Sequence, residues 1–432
     1  MVEAADSSML TRSGHRARLA GRALDTALAA APMVLIEGAK GCGKTWLGLS
    51  RARSSSMLAE DPNALEAAQL LPREILAAGP HPRLIDEWQR APAVWDAARG
   101  LSDADGGAGK FIFTGSYLRA DAITRHSGAG RLIRVRLRPM SLTETGVSSG
   151  EVSLAALMDG EPVSALAPAL SSADAAELIC RGGWPRHLHL GAAAAQRLLR
   201  AYLNETMRVD LPLETESAHD PVRVGRLLRA VARNVSTTVS QAALGRETGG
   251  DGVRLNHMTV SRYLDSLNRL FVLDDLRSWS PHLLSKAPSR QAPKRHLVDP
   301  SLAAAALGIA PARLAADLRT MGPLFESLAV RDIRVYADAH EYAVLHHRDA
   351  GGGELDAVVV APDGRWMAVE IKLGGDQARM DRAAAVLLST ASRVDPAHAG
   401  RPARHVIVTA FGTVAHDRPD GVTVVPICAL GP

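Results

Sequence analysis

Residues 33–46 read Met-Val-Leu-Ile-Glu-Gly-Ala-Lys-Gly-Cys-Gly-Lys-Thr-Trp, and this stretch decides the fold of the first part of the chain. The apolar run Met33–Ile36 predicts a buried strand. Gly38, four residues, Gly43, Lys44 and Thr45 then follow with the spacing of a phosphate-binding loop, and Trp46-Leu47-Gly48-Leu49 opens a helix. Strand, glycine loop and helix in that order are the context the motif requires. The glycines let backbone N–H groups turn inward around phosphate, and the helix N-terminus adds partial positive charge. Gly38, Ala39, Lys40, Gly41, Cys42, Gly43, Lys44, Thr45 and Trp46 are therefore the expected nucleotide-binding residues. Lys44 is expected to reach the β- and γ-phosphates of ATP, and Thr45 to hold Mg²⁺.

Working outward, a second apolar strand, Arg83-Leu84-Ile85, ends in Asp86-Glu87, and a third, Lys110–Phe113, ends in Thr114-Gly115-Ser116. A fourth runs from Leu132 to Leu137. A helix over 17–30 precedes the first strand, and helical stretches separate the others, which predicts βαβ units and a parallel sheet with its ligand at the strand C-termini. An acidic pair at the end of the strand after a phosphate loop suits phosphoryl transfer. Asp86 is placed as a metal ligand and Glu87 as the group that polarises the attacking water. Ser116 is expected to sense the γ-phosphate or orient the water. Arg131 is expected to neutralise developing charge, from the same chain or a neighbouring subunit.

At 432 residues the chain is too long for a single core, so several domains are expected. The division expected is 1–150, 151–320 and 321–432. The formal net charge is +4 and the sequence pI about 9.1, so local basic patches must carry any contact with nucleic acid. Cys42, Cys180 and Cys428 are scattered without metal-binding spacing, which argues against a disulfide framework and suits a reducing cytoplasm. No apolar run is long enough to span a bilayer, and no membrane partner is expected. Residues 148–172, rich in Ser, Ala, Gly and Pro, read as a partly mobile connection.

From about 174 to 300 the pattern is helical. Residues 239–249 and 255–267, with Phe271–Leu276 after them, predict a winged helix-turn-helix with its second paired helix starting near Met258. Asn256, His257, Thr259, Ser261 and Arg262 would be its exposed candidates for DNA contact, the other reading being a bundle that only connects domains. From 322 the expected order is helix, three strands, helix, strand, with Pro362-Asp363-Gly364 as a turn.

The strings Leu-Ile-Glu-Gly-Ala-Lys-Gly-Cys-Gly-Lys-Thr45, Leu84-Ile-Asp-Glu-Trp-Gln-Arg-Ala-Pro92, Phe111-Ile-Phe-Thr-Gly-Ser116, Gly130-Arg131 and Leu137-Arg-Pro-Met-Ser-Leu-Thr-Glu144 together resemble the AAA-type ATPases of bacteria and archaea. More narrowly, they resemble the branch that carries a C-terminal domain of unknown function. Gly182-Gly183-Trp184-Pro185, Tyr202-Leu203 with Asp210-Leu211, and Glu354-Leu355-Asp356 with Glu370-Ile371-Lys372 match that branch too. Ser116 stands where many AAA proteins carry Asn. The last part, with Glu326 on a helix, Asp356 on one strand and Glu370 and Lys372 on the next, resembles the PD-(D/E)XK nuclease superfamily and its αβββαβ core. Glu370 and Lys372, two apart on a strand, face the same side. That resemblance implies Mg²⁺ or Mn²⁺ on Asp356 and Glu370, completed by Glu326, with Lys372 orienting a water. The alternative is a decayed centre that keeps these side chains as a buried ion cluster.

The expected architecture is thus α/β: a P-loop AAA-type parallel-sheet domain, a helical and winged-helix middle, and a restriction-nuclease-like end. The expected function is ATP hydrolysis coupled to DNA binding or processing, with metal-dependent cleavage at the last domain. The rival is a nucleotide-gated DNA-binding or regulatory switch, or a toxin or defence effector, whose nuclease-like part is an inactive scaffold. Homo-oligomers or a partner protein fit either reading.

Overall fold

A computed structural model describes residues 15–115, 128–214, 220–249, 255–281, 291–349 and 351–432. They fall into two compact units. The first ends at Pro139 and takes in Ser266–Val272; the second begins at Met140 and holds most of the remainder.

The first unit is built on five parallel strands: β1 (Met33–Glu37), β2 (Ser54–Met57), β3 (Arg83–Asp86), β4 (Phe111–Gly115) and β5 (Leu132–Arg136). Their order is β2-β3-β4-β1-β5. Period-two alternation sends side chains to both faces, and both faces are buried. Met33, Leu35, Ile85, Phe111 and Phe113 pack with Trp88 and Trp95 on one side, where the two indoles stack at 4.5 Å. Val34, Ile36, Leu84, Ile112 and Val135 pack with Leu24 and Leu47 on the other. The strand β2 has no counterpart in the sequence reading. Its Ser-Ser-Ser-Met run carries no apolar signal, because it lies at the sheet edge, where polar residues are tolerated. Ser56 accepts a hydrogen bond from Arg83 at 2.8 Å.

The second unit carries the helices Ala192–Glu205, Pro221–Arg233 and Gln241–Thr248, and the helix His257–Arg269 up to Asp265. After them, isolated antiparallel bridges join Leu273 to Leu297 and Leu276 to Lys294. Its main sheet uses β7 (Ser164–Leu166), β8 (Ala343–Arg348), β9 (Glu354–Val360), β10 (Trp366–Lys372), β11 (Arg404–Thr409), β12 (Val414–Asp417) and β13 (Val422–Pro426), in the order β7-β12-β13-β11-β10-β9-β8. The helix Leu318–Asp338 precedes β8, and the helix Gln377–Ser392 links β10 to β11, so the expected helix, three strands, helix and strand are all present. Residues 148–172 correct the expectation of a mobile connection. β6 (Val152–Ser153) pairs with β14 (Leu430–Gly431), a helix spans Leu154–Met158, and β7 adds an edge to the sheet by pairing with β12.

The motif Gly182-Gly183-Trp184 proves to be a packing device. A Cβ on Gly183 would lie 2.0 Å from the Met140 carbonyl oxygen, and Trp184 Nε1 donates to Ser301 Oγ at 3.0 Å. Beneath it, buried Arg331 donates to Asp299 at 2.7 Å and to Asp332 at 2.6 Å, and Asp332 accepts the Leu142 N–H at 2.9 Å.

Candidate functional site

The phosphate loop leaves the C-terminal end of β1, which has later strands on both sides. That is where an open α/β sheet places its ligand. Gly38, Gly41 and Gly43 take φ of +155°, +78° and +102°, values that glycine adopts at little cost. At Gly38 space is limiting as well: a Cβ would lie 2.1 Å from the Leu137 carbonyl oxygen. Lys44 is buried, and its Nζ donates to the carbonyls of Gly38 and Ala39, each at 3.0 Å. The ammonium is thereby held over the concave side of the loop. Arg18 braces the loop from outside, donating to the Cys42 and Arg138 carbonyls, each at 2.7 Å. Trp46 is half exposed, with the His15 ring against it.

The structure brings the loop and the acidic pair together. Thr45 Oγ1 donates to Asp86 Oδ1 at 2.9 Å. Thr114, at the end of β4 between β1 and β3, also donates to Asp86 Oδ1, and its hydroxyl accepts the Glu87 N–H at 3.3 Å. Glu87 sits at φ +51°, ψ +47°, a left-handed conformation that costs a non-glycine residue about 1–3 kcal/mol and clusters at functional sites. Its carboxylate accepts from Gln89 Nε2 at 2.5 Å. Thr114, Gln89 and Arg18 were missed by sequence reasoning. Thr114 stood in the quoted Thr-Gly-Ser string, but only the strand order puts its hydroxyl between Asp86 and Glu87.

Ser116 lies outside the described residues. Arg131 corrects an expectation. β5 runs parallel to β1 with Leu132 beside Met33 and Arg136 beside Glu37, so Arg131 lies at the edge where β1 begins, roughly 20 Å along the strands from Gly38. There it pairs with Asp103 and donates to the Ala129 carbonyl. It cannot serve the phosphate loop of its own chain.

The second candidate centre lies within the second unit. Asp356 on β9, Glu370 and Lys372 on β10, and Glu326 on the helix Leu318–Asp338 do converge. Lys372 Nζ is 2.5 Å from Glu370 and 3.5 Å from Asp356. The residue that sequence reasoning missed is Lys294. Its side chain is 1% exposed, and its Nζ lies 2.6 Å from Glu326, 2.9 Å from Glu354 and 2.9 Å from Asp356. No local motif marks it; its bridge to Leu276 and the packing of the sheet bring it there. Burial pushes Glu326 up to about 8 and Glu370 up to about 7, with the negative charge of Asp356 adding to both. Burial also works against ionised Asp356, but Lys294 and Lys372 outweigh it and hold that carboxyl below its ordinary range. A cavity of about 290 Å³ opens beside Glu370 and Lys372, lined also by Arg379 and Arg382. His346 on β8 is fully buried, and burial lowers its ring to about 4.

Comparison with known proteins bears on the first unit. Residues 30–146 match the family model described as AAA domain. Residues 172–313 and 321–430 match two domains of unknown function, DUF8612 and DUF4143. No curated protein matches the chain. Among solved structures, the Walker-type ATPase of Pyrococcus abyssi is 14% identical, covering 66% of this chain and 94% of its own, with a TM-score of 0.40. DnaA from Aquifex aeolicus, bound to AMPPCP, is 13% identical over 58% of this chain and 86% of its own, with a TM-score of 0.25. Among the described residues, no helix is long and apolar enough to cross a membrane. The loop motif, the parallel sheet and the family model together make residues 30–146 a P-loop ATPase domain of AAA type.

Proposed function

We propose that the chain is an ATP-hydrolysing switch that binds DNA, with residues 1–150 as its motor, 151–320 as its DNA-contacting part and 321–432 as a nuclease-like scaffold. The observation that carries the ATPase reading is the chain of contacts from Thr45 through Asp86 and Thr114 to Glu87. Phosphoryl transfer depends mainly on positioning and electrostatics, and this network supplies both. Lys44 neutralises charge on the β- and γ-phosphates. The Thr45 hydroxyl and the Asp86 carboxylate are hard oxygens 2.9 Å apart, a set that fits Mg²⁺ bound with substrate phosphates. When bound there, Mg²⁺ neutralises charge that develops on the transferred phosphoryl group. Glu87, fixed by the Thr114 hydroxyl and Gln89, polarises the attacking water.

For DNA, support comes from the helix His257–Arg269. Asn256, His257 and Arg262 are exposed at and near its N-terminus, whereas Thr259 and Ser261 are half-buried. Asn256 accepts the Thr259 N–H at 2.8 Å, and Ser261 faces Gln241. The helices and the bridged pair after them follow the element order of a winged helix-turn-helix. The test is phosphate release together with fluorescence anisotropy of duplex, single-stranded and forked DNA at low salt. Turnover should vanish in Lys44→Ala, and DNA affinity should fall as salt rises. Turnover unchanged in Lys44→Ala would remove the ATPase reading. No binding to any of these DNA forms would replace DNA by a protein partner.

A further inference from the structure

Lys294 contacts Glu326 and Asp356, two of the three carboxyl groups that the nuclease resemblance assigns to a divalent ion. An ammonium has three N–H donors, and three carboxyl groups face this one. Glu326 comes from the helix Leu318–Asp338, and Glu354 and Asp356 come from β9, at 2.6–2.9 Å. Those are the lengths of charge-assisted N–H···O bonds. Oxygen ligands stand closer to Mg²⁺, at about 2.0–2.1 Å. The second oxygen of Asp356 accepts the Ile371 N–H at 2.9 Å, and Glu370 is taken by Lys372. Among the described residues, no group of three or more His, Cys, Asp or Glu is arranged to hold a metal ion. A divalent ion at the centre of Glu326, Asp356 and Glu370 would sit against a buried ammonium of like charge. The residues present therefore do not fit the metal that the resemblance implies.

We propose that Lys294 is a built-in cation that takes the place of the divalent ion. Its ammonium clasps the segment bridged to Leu276 onto the helix Leu318–Asp338 and β9, so the domain is organised without metal. Two features make this more than a surface pairing. The Lys294 side chain is almost fully enclosed, and a buried charge persists only with compensating partners. The partners also come from separate elements, so the cation joins them. Lys372 is a second and different cation. Its side chain is 44% exposed; it borders the open cavity, pairs with Glu370, and reaches the cage only through the other oxygen of Asp356, at 3.5 Å. The proposal rests on the reading of the last part as a scaffold. Its test reads metal binding, not ATP turnover or DNA affinity, so the two can fail separately.

The test titrates Mn²⁺ into the nucleotide-free full chain, followed by calorimetry and electron paramagnetic resonance. Wild type and Asp356→Asn should bind the same amount of Mn²⁺. Lys294→Ala should gain one further Mn²⁺ per chain, and Lys294→Ala combined with Asp356→Asn should weaken that gain by more than about tenfold. Lys294→Met gives a second opening of the cage with less lost volume. In either Lys294 variant, Mn²⁺ should raise the melting midpoint, and it should not distinguish wild type from Asp356→Asn. The proposal is overturned if wild type loses a bound Mn²⁺ on Asp356→Asn, because the cage then already holds an ion. It is equally overturned if folded Lys294→Ala and Lys294→Met gain none, or if both stay insoluble even with Mn²⁺ present.

Discussion

Two substitutions with the same chemistry should differ sharply in the phosphate loop. Gly38→Ala and Gly41→Ala each add one methyl group at a positive φ, +155° and +78°. Both incur backbone strain of about 1–3 kcal/mol. Only the first meets an obstacle. A Cβ on Gly38 would lie 2.1 Å from the Leu137 carbonyl oxygen and 3.2 Å from Cys42 Sγ, whereas at Gly41 nothing lies within 4 Å. The carbonyl cannot swing freely, because the Leu137 N–H is bonded to the Glu37 carbonyl at 2.7 Å and Leu137 is buried in the core. Forcing a methyl group into such a site adds about 1–3 kcal/mol. The gap between the two variants is then roughly 2–12 °C in melting midpoint, at about 2–4 °C per kcal/mol. The assay is thermal denaturation followed by the fluorescence of Trp88 and Trp95, which are buried in the same unit, with nucleotide binding measured in parallel. Gly38→Ala should also lose nucleotide binding more severely, since the strand end and the loop must separate. Equal midpoints and equal affinities would refute the claim that close approach, rather than φ alone, holds glycine at position 38.

Glu87→Gln should keep nucleotide binding and lose about 10²–10⁴ in turnover, the range for a positioned general base; near wild-type phosphate release would remove Glu87 from that role. Thr114→Val should leave the loop intact while freeing Asp86 and the Glu87 N–H from their shared hydroxyl. It is expected to lower stability by about 1–3 kcal/mol and to lower turnover, and unchanged turnover would make Thr114 a packing residue only. Glu326 and Glu370 hold their protons to about 8 and about 7 in the folded chain, against 4.5 ordinarily. The folded state therefore binds more protons than the unfolded chain between those values, and this contribution to stability is lost as pH rises through them. The slope is at most about 1.4 kcal/mol per pH unit for each group. A melting series in buffers spanning that range should fall less steeply for Glu326→Gln than for wild type, and parallel curves would show that Glu326 does not titrate there.

The phosphate loop was legible because its function is local. Gly38, Gly43, Lys44 and Thr45 lie within one short segment, so their spacing alone marks them. Asp86 and Glu87 were legible because an acidic pair ends an apolar strand. The helices and strands of the last part were legible too, since period-two and helical patterns are local signals. The strand β2 was not, because an edge strand of serines buries little and leaves no hydrophobic trace.

What the chain order cannot express is which distant segments become neighbours. Thr114 enters the site because β4 lies between β1 and β3, and Arg131 leaves it because β5 runs parallel to β1 and sends its first residue to the far edge. Lys294 is the strongest case. It is separated from Asp356 by 62 positions and belongs to no motif, yet its ammonium lies within 2.9 Å of three acidic side chains. Sequence by itself determined where the glycine loop forms between strand and helix, and which strands carry the carboxylates. Only the tertiary structure decided which cation those carboxylates meet, because electrostatic partnership depends on distance in space and on exclusion of water.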